Sequence, residues 1–342
     1  MVYFSLIVPI YNVENYLYSC LKSIFIQLPK DDSVEVIFVN DGSTDNSYNI
    51  LENFLEKIDD LDKYNIKIIF QKNQGLSVAR NKGVFASSSE YVAFLDSDDI
   101  LLDGYFSEVL MVLKSNYNID LIKFKYCFFY DPEKMVKVAS TIIFKGVSVI
   151  DRDFMIKMLN DSSWYAWLHI YKKNNLLKNP FPKNINFEDA FTIPYIIEES
   201  KKCFILDKYL YGYRKREDSI TSSYNQKVIN QNIHSLKYLV LNFLKKAKEG
   251  SEYSYIMYIF FLRVYFSYLI KHKNYKAAKI AWNEVKNNEY GLGSFNKELF
   301  IKNKHKIYYY LYLNFGFYSN YIIVIIGFVH GLIFNLLRKM KV

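Results

Sequence analysis

The first hundred residues alternate short apolar runs with longer stretches of helical spacing. The apolar runs are rich in β-branched or aromatic residues and end at turn residues, which predicts strands at Phe4–Pro9, Val34–Asn40, Ile66–Gln71 and Tyr91–Leu95. Helical spacing between them predicts helices at Tyr16–Gln27, Ser47–Ile58 and Leu76–Ala86. Strands that alternate with helices and are apolar along their length indicate a mostly parallel, doubly wound sheet covered on both faces. The predicted fold class is α/β.

The second hundred residues have a mixed pattern. Helices are predicted at Tyr105–Lys114 and near Asp151–Leu159, and strands near Leu121–Tyr130, Thr141–Phe144, Phe204–Leu206 and Tyr209–Arg214. From about residue 226 the pattern becomes helical. One amphipathic face is formed by Ile229, Ile233, Leu236, Val240 and Leu244, and Tyr253–Ile270 is apolar enough to predict a buried helix. A helical extension is therefore expected after the α/β part.

The last apolar segment, Ile307–Leu337, contains no charged residue and has basic residues on both flanks. Its length would permit a membrane span. However, Asn314, Asn320, His330 and Asn335 interrupt it, and the basic flanks specify no orientation. We favour a pair of interfacial, aromatic-rich helices, with a true span and a buried helix as the alternatives.

The formal charge of +9 is unevenly distributed along the chain. Residues 221–342 contain 18 Lys and Arg against 5 Asp and Glu, whereas residues 1–220 contain 26 against 30. A basic segment can meet nucleic acid or anionic lipid. The chain has no nucleic-acid-binding motif and its basic segment is rich in apolar residues. We therefore predict an anionic membrane surface as a partner, and no nucleic acid.

Composition sets the compartment and the size of the core. The 342 residues, 51% of them hydrophobic, can build one large domain with an extension or two domains, and they exclude a disordered chain. The cysteines Cys20, Cys127 and Cys203 form no C-x-x-C pair, which argues against a disulfide framework or zinc site. The apolar start lacks a basic n-region, so we expect no secretory signal. These features predict a protein at the cytoplasmic side of a membrane, peripheral or monotopic.

Polar residues follow all four predicted strands of the first hundred residues. In strand order they are Tyr11 and Asn12, then Asp41, then Asn73 and Gln74, then Asp96 and Asp98. In open α/β sheets, ligands bind beyond the carboxyl ends of the strands. The sequence therefore predicts a composite binding site at this edge of the sheet.

The run Asp96-Ser97-Asp98-Asp99 places three carboxylates directly after an apolar strand. They repel one another unless a cation or hydrogen-bond donors compensate. Hard oxygen ligands suit Mg²⁺ or Mn²⁺, which bind through one or two carboxylates together with substrate phosphates. The alternative is a solvated turn in which Asp99 caps the next helix.

Two further loops have both a structural and a chemical interpretation. The first is Val39-Asn40-Asp41-Gly42-Ser43-Thr44-Asp45. Its Gly42 permits a tight turn, and the residues after Gly42 can cap a helix. Neither function requires Asp41, whose carboxylate could accept a hydrogen bond from an N–H of a nucleotide base. In the run from Gln71 to Gly83, Arg80 is either a surface residue or a planar fork that meets phosphate.

Together these strings resemble the GT-A glycosyltransferases of family 2, including those that build bacterial capsule, lipopolysaccharide and other cell-surface polysaccharides. The resemblance covers about residues 4–104, from Val8-Pro9-Ile10-Tyr11-Asn12 with Glu14 through to Phe94-Leu95-Asp96-Ser97-Asp98-Asp99. It extends more weakly to 221 through Trp167–Tyr171, Phe187-Glu188-Asp189 and Tyr211-Gly212-Tyr213-Arg214-Lys215-Arg216. It implies a Rossmann-like domain at 1–221, with a nucleotide-binding half at 1–104 and an acceptor half at 105–221. The region 222–342 is then a basic, helical, membrane-associated extension.

The resemblance also implies a role for each matching residue. Pro9 and Tyr11 would border the base, Asp41 would accept from uracil, and Asp96 would touch the ribose. Asp98 would hold the metal on the diphosphate, where Mn²⁺ or Mg²⁺ offsets the charge of the leaving nucleotide. The other residues assigned to the nucleotide-sugar are Glu14, Asn73, Gly75, Arg80, Ser97, Arg214 and Arg216. Among them, Arg80 would lie near the sugar or diphosphate, and the last two either close over the diphosphate or are ordinary surface charges.

Glu188-Asp189 resembles the acidic pair that supplies the catalytic base of the family. Inverting transfer needs a carboxylate that takes the proton of the acceptor hydroxyl. We assign this role to Asp189, with Glu188 as the substitute. The alternative is that both acids only stabilise the start of a helix near Ala190.

One motif departs from the family pattern. Trp167-Leu168-His169-Ile170-Tyr171 stands where relatives carry Trp-x-Lys, so His169 replaces a lysine and any acceptor contact expected from that lysine is in doubt. Trp164 and Trp167 are candidates for stacking on an acceptor sugar, or are core residues.

The resemblance implies an inverting, metal-dependent transferase that uses a nucleotide-sugar, preferably a UDP-sugar, and a lipid-linked or surface glycan acceptor. Two other classes compete with it. A sugar nucleotidyltransferase would need a glycine-rich first loop, which Pro9-Ile10-Tyr11-Asn12-Val13 is not. A non-catalytic, membrane-associated binding protein on the same fold would be expected to have lost the acidic motifs.

Overall fold

The structure is a computed structural model. It describes residues 1–115, 118–130, 134–138, 145–161, 164–216 and 225–289, together with 299, 308–312, 314, 316, 318, 319 and 322. The chain divides into two compact units, Met1–Ser222 and Ser223–Val342.

The first unit opens with the predicted alternation of strands and helices. Its elements are β1 (Phe4–Ile10), α1 (Glu14–Phe25), β2 (Val34–Asn40), α2 (Ser47–Leu55), β3 (Asn65–Phe70), α3 (Leu76–Ala86) and β4 (Tyr91–Phe94). The four strands pair in parallel in the order β3-β2-β1-β4. Because β1 and β2 are buried along their whole length, they are apolar rather than alternating.

The remainder of the first unit extends the sheet beyond β4. Its elements are β5 (Ile100–Leu101), α4 (Tyr105–Lys114), β6 (Leu121–Phe129), β7 (Val136–Lys137), β8 (Gly146–Val149), α5 (Arg152–Asn160), β9 (His169–Lys172), α6 (Lys173–Lys178), α7 (Glu188–Glu199) and β10 (Lys202–Arg214). The sheet continues β4-β9-β6-β10-β5, with β7 on β6 and β8 on β10. Strand β9 is antiparallel to both neighbours, whereas β10 runs parallel to β6. The sheet is thus mixed, with its longer pairings parallel.

The last two strands predicted for the first unit are continuous in the structure. Phe204–Leu206 and Tyr209–Arg214 were expected to be separate, but they form the single strand β10, whose pairing with β6 shifts register between Ile205 and Tyr211. These shifts accommodate the polar residues that made the pattern look interrupted. The strand predicted at Thr141–Phe144 lies outside the described residues.

The topology opens a crevice at the carboxyl ends of β1 and β4. The chain passes from β1 to β2 on one side, and later places β4 on the other, which is the strand-order reversal where ligands bind in such sheets. Pairing of β1 with β4 ends at Ile7, and Leu95 N donates to Ile7 O. The backbone of Ile7 points toward β4, and that of Pro9, two residues later in β1, points to the same side. The pairing with β4 has ended by then, so the missing N–H of Pro9 disturbs no pairing at the open end of the crevice.

Helix α3 packs closely on the sheet through Gly83. A Cβ at this position would overlap the side chain of Ile7 in β1. The close approach brings the buried face of α3, which carries Ala79 and Arg80, against the strands. Arg80 consequently points into the protein near the ends of β1 and β4.

The second unit contains three long helices in its described part: α8 (Gln226–Lys248), α9 (Glu252–His272) and α10 (Tyr275–Asn288). The amphipathic face predicted for α8 is buried, apart from Ile233. Helix α9 is long and apolar enough to cross a membrane by length and composition, but 61% of its most apolar window is buried within the protein, as in a core helix. Most of the segment Ile307–Leu337, including everything after residue 322, lies outside the described residues.

Candidate active site

The loops that follow β1 and β2 are tied together by side chains. Asn12 adopts a left-handed backbone conformation with a φ of 50°, and its Oδ1 accepts from Thr44 N at 2.8 Å. Glu14 Oε2 accepts from Asn46 N at 2.9 Å, so this predicted nucleotide-sugar residue supports the start of α2. Tyr11, the residue before Asn12, has 46% of its surface exposed. The two loops therefore present Tyr11 at one wall of the crevice.

Asp41 organises the loop between β3 and α3. Its Oδ1 accepts from Gln71 Nε2 at 2.6 Å and from Gln74 N at 2.9 Å, and its Oδ2 accepts from Gly75 N at 2.8 Å. The following residue, Gly42, has a φ of +68° and lies so close to the backbone of Asn73 that a Cβ would collide with it. Asp41 is only 2% exposed, and its Oδ2 retains a lone pair that could accept the N–H of a group packed directly against it. Asn73 itself is exposed beside this carboxylate.

Arg80 is buried beneath the crevice, with 3% of its side chain exposed. Its Nη2 donates to Asp96 Oδ1 at 2.6 Å, and its Nη1 donates to Glu188 Oε1. The guanidinium also lies against the rings of Phe94 and Phe181. One side chain therefore joins the loop after β4 to the first residue of α7.

Helix α7 begins at the two predicted catalytic acids. Phe187, the preceding residue, has a φ of 63°, a conformation that costs a non-glycine residue about 1–2 kcal/mol. Glu188 and Asp189 then occupy the first helical turn, where the helix dipole favours negative charge. Both acids therefore lie at the start of a helix, as the alternative interpretation expects, but the same turn also directs them toward Arg80.

The two acids differ in their surroundings. Glu188 is buried and held by Arg80, whereas Asp189 is only partly buried and its Oδ1 accepts from Ala190 N at 2.7 Å. Desolvation first, and the neighbouring charge of Glu188 second, raise the pKa of Asp189 to about 7, although the positive charge of Arg80 opposes this. Asp189 therefore has the proton affinity expected of a general base near neutral pH.

Asp98 is the second acid of the run Asp96-Ser97-Asp98-Asp99 and pairs with Arg216. Arg216 Nε is 2.8 Å from Asp98 Oδ2. Burial raises the pKa of Asp98 despite this pairing, and the charge of Asp96 acts in the same direction. Asp98 is therefore paired with Arg216 through Oδ2 and lies close to a second acid, Asp96.

Asp99 and Tyr211 are structural members of the site that the sequence did not reveal. Asp99 is buried rather than capping a helix: Tyr211 Oη donates to its Oδ2 at 2.7 Å, and Arg214 N donates to its Oδ1 at 2.7 Å. Tyr211 Oη in turn accepts from Asp96 N at 3.2 Å. Strand β10 thereby fixes the acidic loop, in which Ser97 is also buried. The only sequence signal was the position of Tyr211 in the Tyr-Gly-Tyr-Arg motif.

Arg214 is anchored below the same loop. Its Nε donates to Asp98 O at 2.7 Å and its Nη2 to Ser19 Oγ at 2.9 Å. Its guanidinium lies over the ring of Tyr16, as does that of Arg216. Of the two arginines predicted to meet the diphosphate, Arg214 has specific partners on three elements and is not an ordinary surface charge.

A divalent cation fits this site only with help from a substrate. Among the described residues, no group of three or more His, Cys, Asp or Glu side chains is arranged to hold a metal ion. Asp98 nevertheless offers a hard oxygen ligand that is partly open to solvent, with 17% of its side chain exposed. Mg²⁺ and Mn²⁺ are commonly held by one or two carboxylates and the phosphates of a nucleotide. The residues present suit that arrangement.

The proposed acceptor residues lie mainly in the core. Trp167 is buried and stacks on Tyr211 with ring centroids 4.2 Å apart, and on Tyr165 at 4.8 Å. His169 is fully buried, and burial first, then Lys123, hold its pKa well below the usual value. Trp164 is buried as well. These placements favour packing over direct contact with an acceptor sugar.

A cavity of about 520 Å³ lies beside α3 and α6, next to the loop that Asp41 holds. Gln71 and Gln74 line it together with apolar residues such as Phe85 and Leu177, but none of the acids described above does. The chemistry of the molecule is therefore concentrated at the strand ends and the start of α7.

Residues 5–166 match glycosyl transferase family 2. Among curated relatives, glycosyltransferase GlyA of Streptococcus pneumoniae serotype 4 is 33% identical over 65% of this chain and 32% of the relative. The uncharacterized glycosyltransferase EpsJ of Bacillus subtilis is 30% identical over 64% of this chain and 62% of the relative. The minor teichoic acid biosynthesis protein GgaA of Bacillus subtilis is 29% identical over 80% and 60%. The chain thus spans less than two thirds of the length of these relatives.

Solved structures share the fold. TarS residues 1–349 of S. aureus, in complex with UDP-GlcNAc, superpose with a TM-score of 0.67 at 20% identity, covering 96% of this chain and 92% of TarS. The mannosyltransferase PcManGT of Pyrobaculum calidifontis, in complex with GDP-Man and Mn²⁺, superposes with a TM-score of 0.51 at 14% identity, covering 94% and 86%. The predicted GT-A-like α/β fold with C-terminal helices is confirmed.

Proposed function

Because the chain belongs to glycosyl transferase family 2 through residues 5–166, we propose that it transfers a sugar from a nucleotide-sugar to a glycan acceptor with inversion. The observation that carries this proposal is the contact of Arg80 with both Asp96 and Glu188. It brings the loop at the end of β4 and the acids of α7 to one place. A binding protein without catalytic activity would have no need of a partly exposed acid with raised proton affinity at this point.

In the proposed reaction, Asp189 takes the proton of the acceptor hydroxyl as that oxygen attacks the anomeric carbon. The bond from the sugar to the diphosphate breaks, and the nucleotide diphosphate leaves with the bonding electrons. Asp98 would hold Mn²⁺ or Mg²⁺, which supplies charge stabilisation for the leaving group when bound. Arg216, which pairs with Asp98, is close enough to the same loop to contribute positive charge.

A UDP-sugar is the donor that the site supports best. The remaining lone pair on Asp41 Oδ2 suits the N3–H of a uracil, and exposed Tyr11 offers a ring for stacking. TarS, which shares the fold, was solved in complex with UDP-GlcNAc. The acceptor proposed here is a lipid-linked or surface glycan, in line with teichoic acid proteins among the relatives.

A donor screen tests this proposal. We expect the purified chain with Mn²⁺ to release UDP from at least one UDP-sugar faster than it releases GDP or TDP from the corresponding donors. Asp41→Asn should reduce the preference for uridine by about 10-fold or more, since an amide presents a donor or a weaker acceptor to the base. Equal release from all three nucleotide classes would contradict the assignment to uridine, and no release from any donor would contradict transfer.

We also propose that the second unit contacts an anionic membrane surface. At the corner between α9 and α10, four exposed lysines stand within nine residues, with no acid among them: Lys271, Lys273, Lys276 and Lys279. Ile280, next in the chain, has 63% of its surface exposed. Clustered lysines near a lipid headgroup contribute about 1 kcal/mol each, and an apolar tip can enter the interface.

Vesicle sedimentation distinguishes binding through these four lysines from binding through positive charge elsewhere on the protein. Replacing the four corner lysines with Ser should weaken binding to vesicles that contain phosphatidylglycerol by about 100-fold or more at low salt. The matched control replaces four exposed lysines of the first unit, Lys22, Lys57, Lys178 and Lys201, and should have a much smaller effect. If both variants lose the same affinity, or neither does, the corner is not the membrane contact.

A further inference from the structure

Arg80 is enclosed by the protein and is not presented to a phosphate. Both terminal nitrogens of its guanidinium donate to carboxylates, the rings of Phe94 and Phe181 lie against it, and only 3% of the side chain is exposed. The sequence motif suggested contact with the sugar or diphosphate. In the structure, Arg80 lies below the surface that a donor would occupy, which calls for a different role.

The two acids that begin α7 are equivalent in sequence but not in placement. Glu188 is fixed by Arg80 and buried. Asp189 accepts a hydrogen bond from the backbone N–H of Ala190 and keeps part of its surface exposed. The sequence order Glu-Asp does not by itself decide which of the two carboxylates faces the acceptor.

We propose that Arg80 is a positioning residue that ties Glu188 to the Asp96 loop and thereby leaves Asp189 as the acid that faces the acceptor. This inference rests on the proposed transfer reaction. It assigns Glu188 a structural and electrostatic task, in place of the substitute catalytic role that the sequence left open.

The choice of arginine follows from geometry. A planar guanidinium presents several N–H donors in a fixed fork and can bridge two carboxylates that approach from different elements. A lysine would bring the same charge at a single point and could satisfy only one of Asp96 and Glu188 well. Arg80→Lys therefore keeps the charge and removes the bridge.

The charges around Asp189 come from three directions. Glu188 lies on the same helix, Arg80 comes from α3 and Asp96 comes from the loop after β4. Tyr165 and Tyr171 also face it, from the segment around β9. Among these, Glu188 is the strongest neighbouring charge that increases the proton affinity of Asp189, after burial itself.

Arg80→Lys is the first test. We expect kcat for transfer to fall by about 100-fold, the order of loss when a catalytic group is misplaced by about 1 Å. The KM for the donor should change much less than kcat. The charge-removing control on the same helix, Lys82→Met, should leave both constants close to the parent values, since Lys82 donates only to Phe70 O at the surface.

Glu188→Gln is the second test, because the amide oxygen can still accept from Arg80. We expect its kcat to fall by less than about 100-fold, the minimum loss when a general base is removed. The acidic limb of its kcat–pH profile should move to lower pH by about one unit or more. In the double variant Arg80→Lys/Glu188→Gln, the lysine has only Asp96 to satisfy. Its kcat should therefore be no lower than that of Arg80→Lys alone.

Three results would overturn the inference: a parent-like kcat in Arg80→Lys, a loss in Glu188→Gln as large as in Asp189→Asn, or strictly multiplicative losses in the double variant. Thermal unfolding and UDP binding by each variant distinguish these results from misfolding. Failure of the transfer proposal itself would look different, because the parent chain would then show no transfer at any pH.

Discussion

Asp189→Asn should reduce kcat for sugar transfer by about 10²–10⁴-fold, the range for loss of a general base. The amide fills the same space at the start of α7 but cannot take the acceptor proton. Because Asp189 is not placed to bind the nucleotide, UDP affinity should change little. The free energy of unfolding should not fall near neutral pH, since the amide removes a negative charge that burial and Glu188 disfavour. Single-turnover transfer with the donor identified by the screen measures the effect.

The pH dependence of the parent enzyme follows from the same group. A base acts in its deprotonated form, and the pKa of Asp189 is raised to about 7, so kcat should fall as the pH drops below neutral. An ordinary aspartate would keep kcat flat down to about pH 5. An unchanged kcat in Asp189→Asn, or a flat profile between pH 5 and 8, would exclude Asp189 as the base.

Asp98→Asn should lower metal-dependent turnover by about 100-fold or more, since charge stabilisation by a bound cation contributes several kcal/mol. It should also raise the Mn²⁺ concentration needed for half-maximal activity. The matched control is Asp103→Asn, which alters an exposed acid five residues further along the chain. Titration of nucleotide release with Mn²⁺ compares the three proteins.

Arg216 gives the Asp98 experiment an internal check. It pairs with Asp98 Oδ2, so a cation that binds this carboxylate must share or displace the arginine. If Asp98→Asn and the parent chain respond identically to Mn²⁺, Asp98 is not the metal ligand and its raised pKa has only a structural origin.

Much of the fold could be predicted because the strands are buried on both faces. Val34–Asn40, Leu76–Ala86 and Tyr105–Lys114 were placed with their observed boundaries, since apolar runs and turn residues mark them clearly. Boundaries without such signals moved: α2 ends at Leu55 rather than Ile58. The continuity of β10 was missed because Asp207 and Lys208 resemble a turn. In the structure they extend the strand instead, and each pairs with a charge on a neighbouring element.

The site was predictable where it follows the strand ends and not where it depends on partners far away in sequence. Asp41, Asp96 and Asp98 lie at the carboxyl edge, as expected for an open α/β sheet. The pairing of Arg80 with Glu188 joins positions that are 108 residues apart, and no local pattern reports it. The same applies to Asp99 and Tyr211, whose hydrogen bond crosses from β10 to the acidic loop.

Tryptophan motifs illustrate the limit of residue type as a guide. Trp167 has the chemistry for stacking on a sugar, but Tyr165, two residues earlier, and Tyr211 of β10 already stack on its ring. Burial depends on how strands from distant parts of the chain assemble. Sequence pattern therefore located the motif correctly, while only tertiary structure separated a packing role from a binding one.

Crystals of the chain grown with UDP and Mn²⁺ test the convergence of the two acidic elements most directly, through the anomalous scattering of manganese. We expect a single anomalous peak in contact with Asp98 and the diphosphate oxygens, with the Asp189 carboxylate facing the same crevice. A peak away from Asp98, or an Asp189 side chain walled off from the diphosphate, would contradict the proposed reaction.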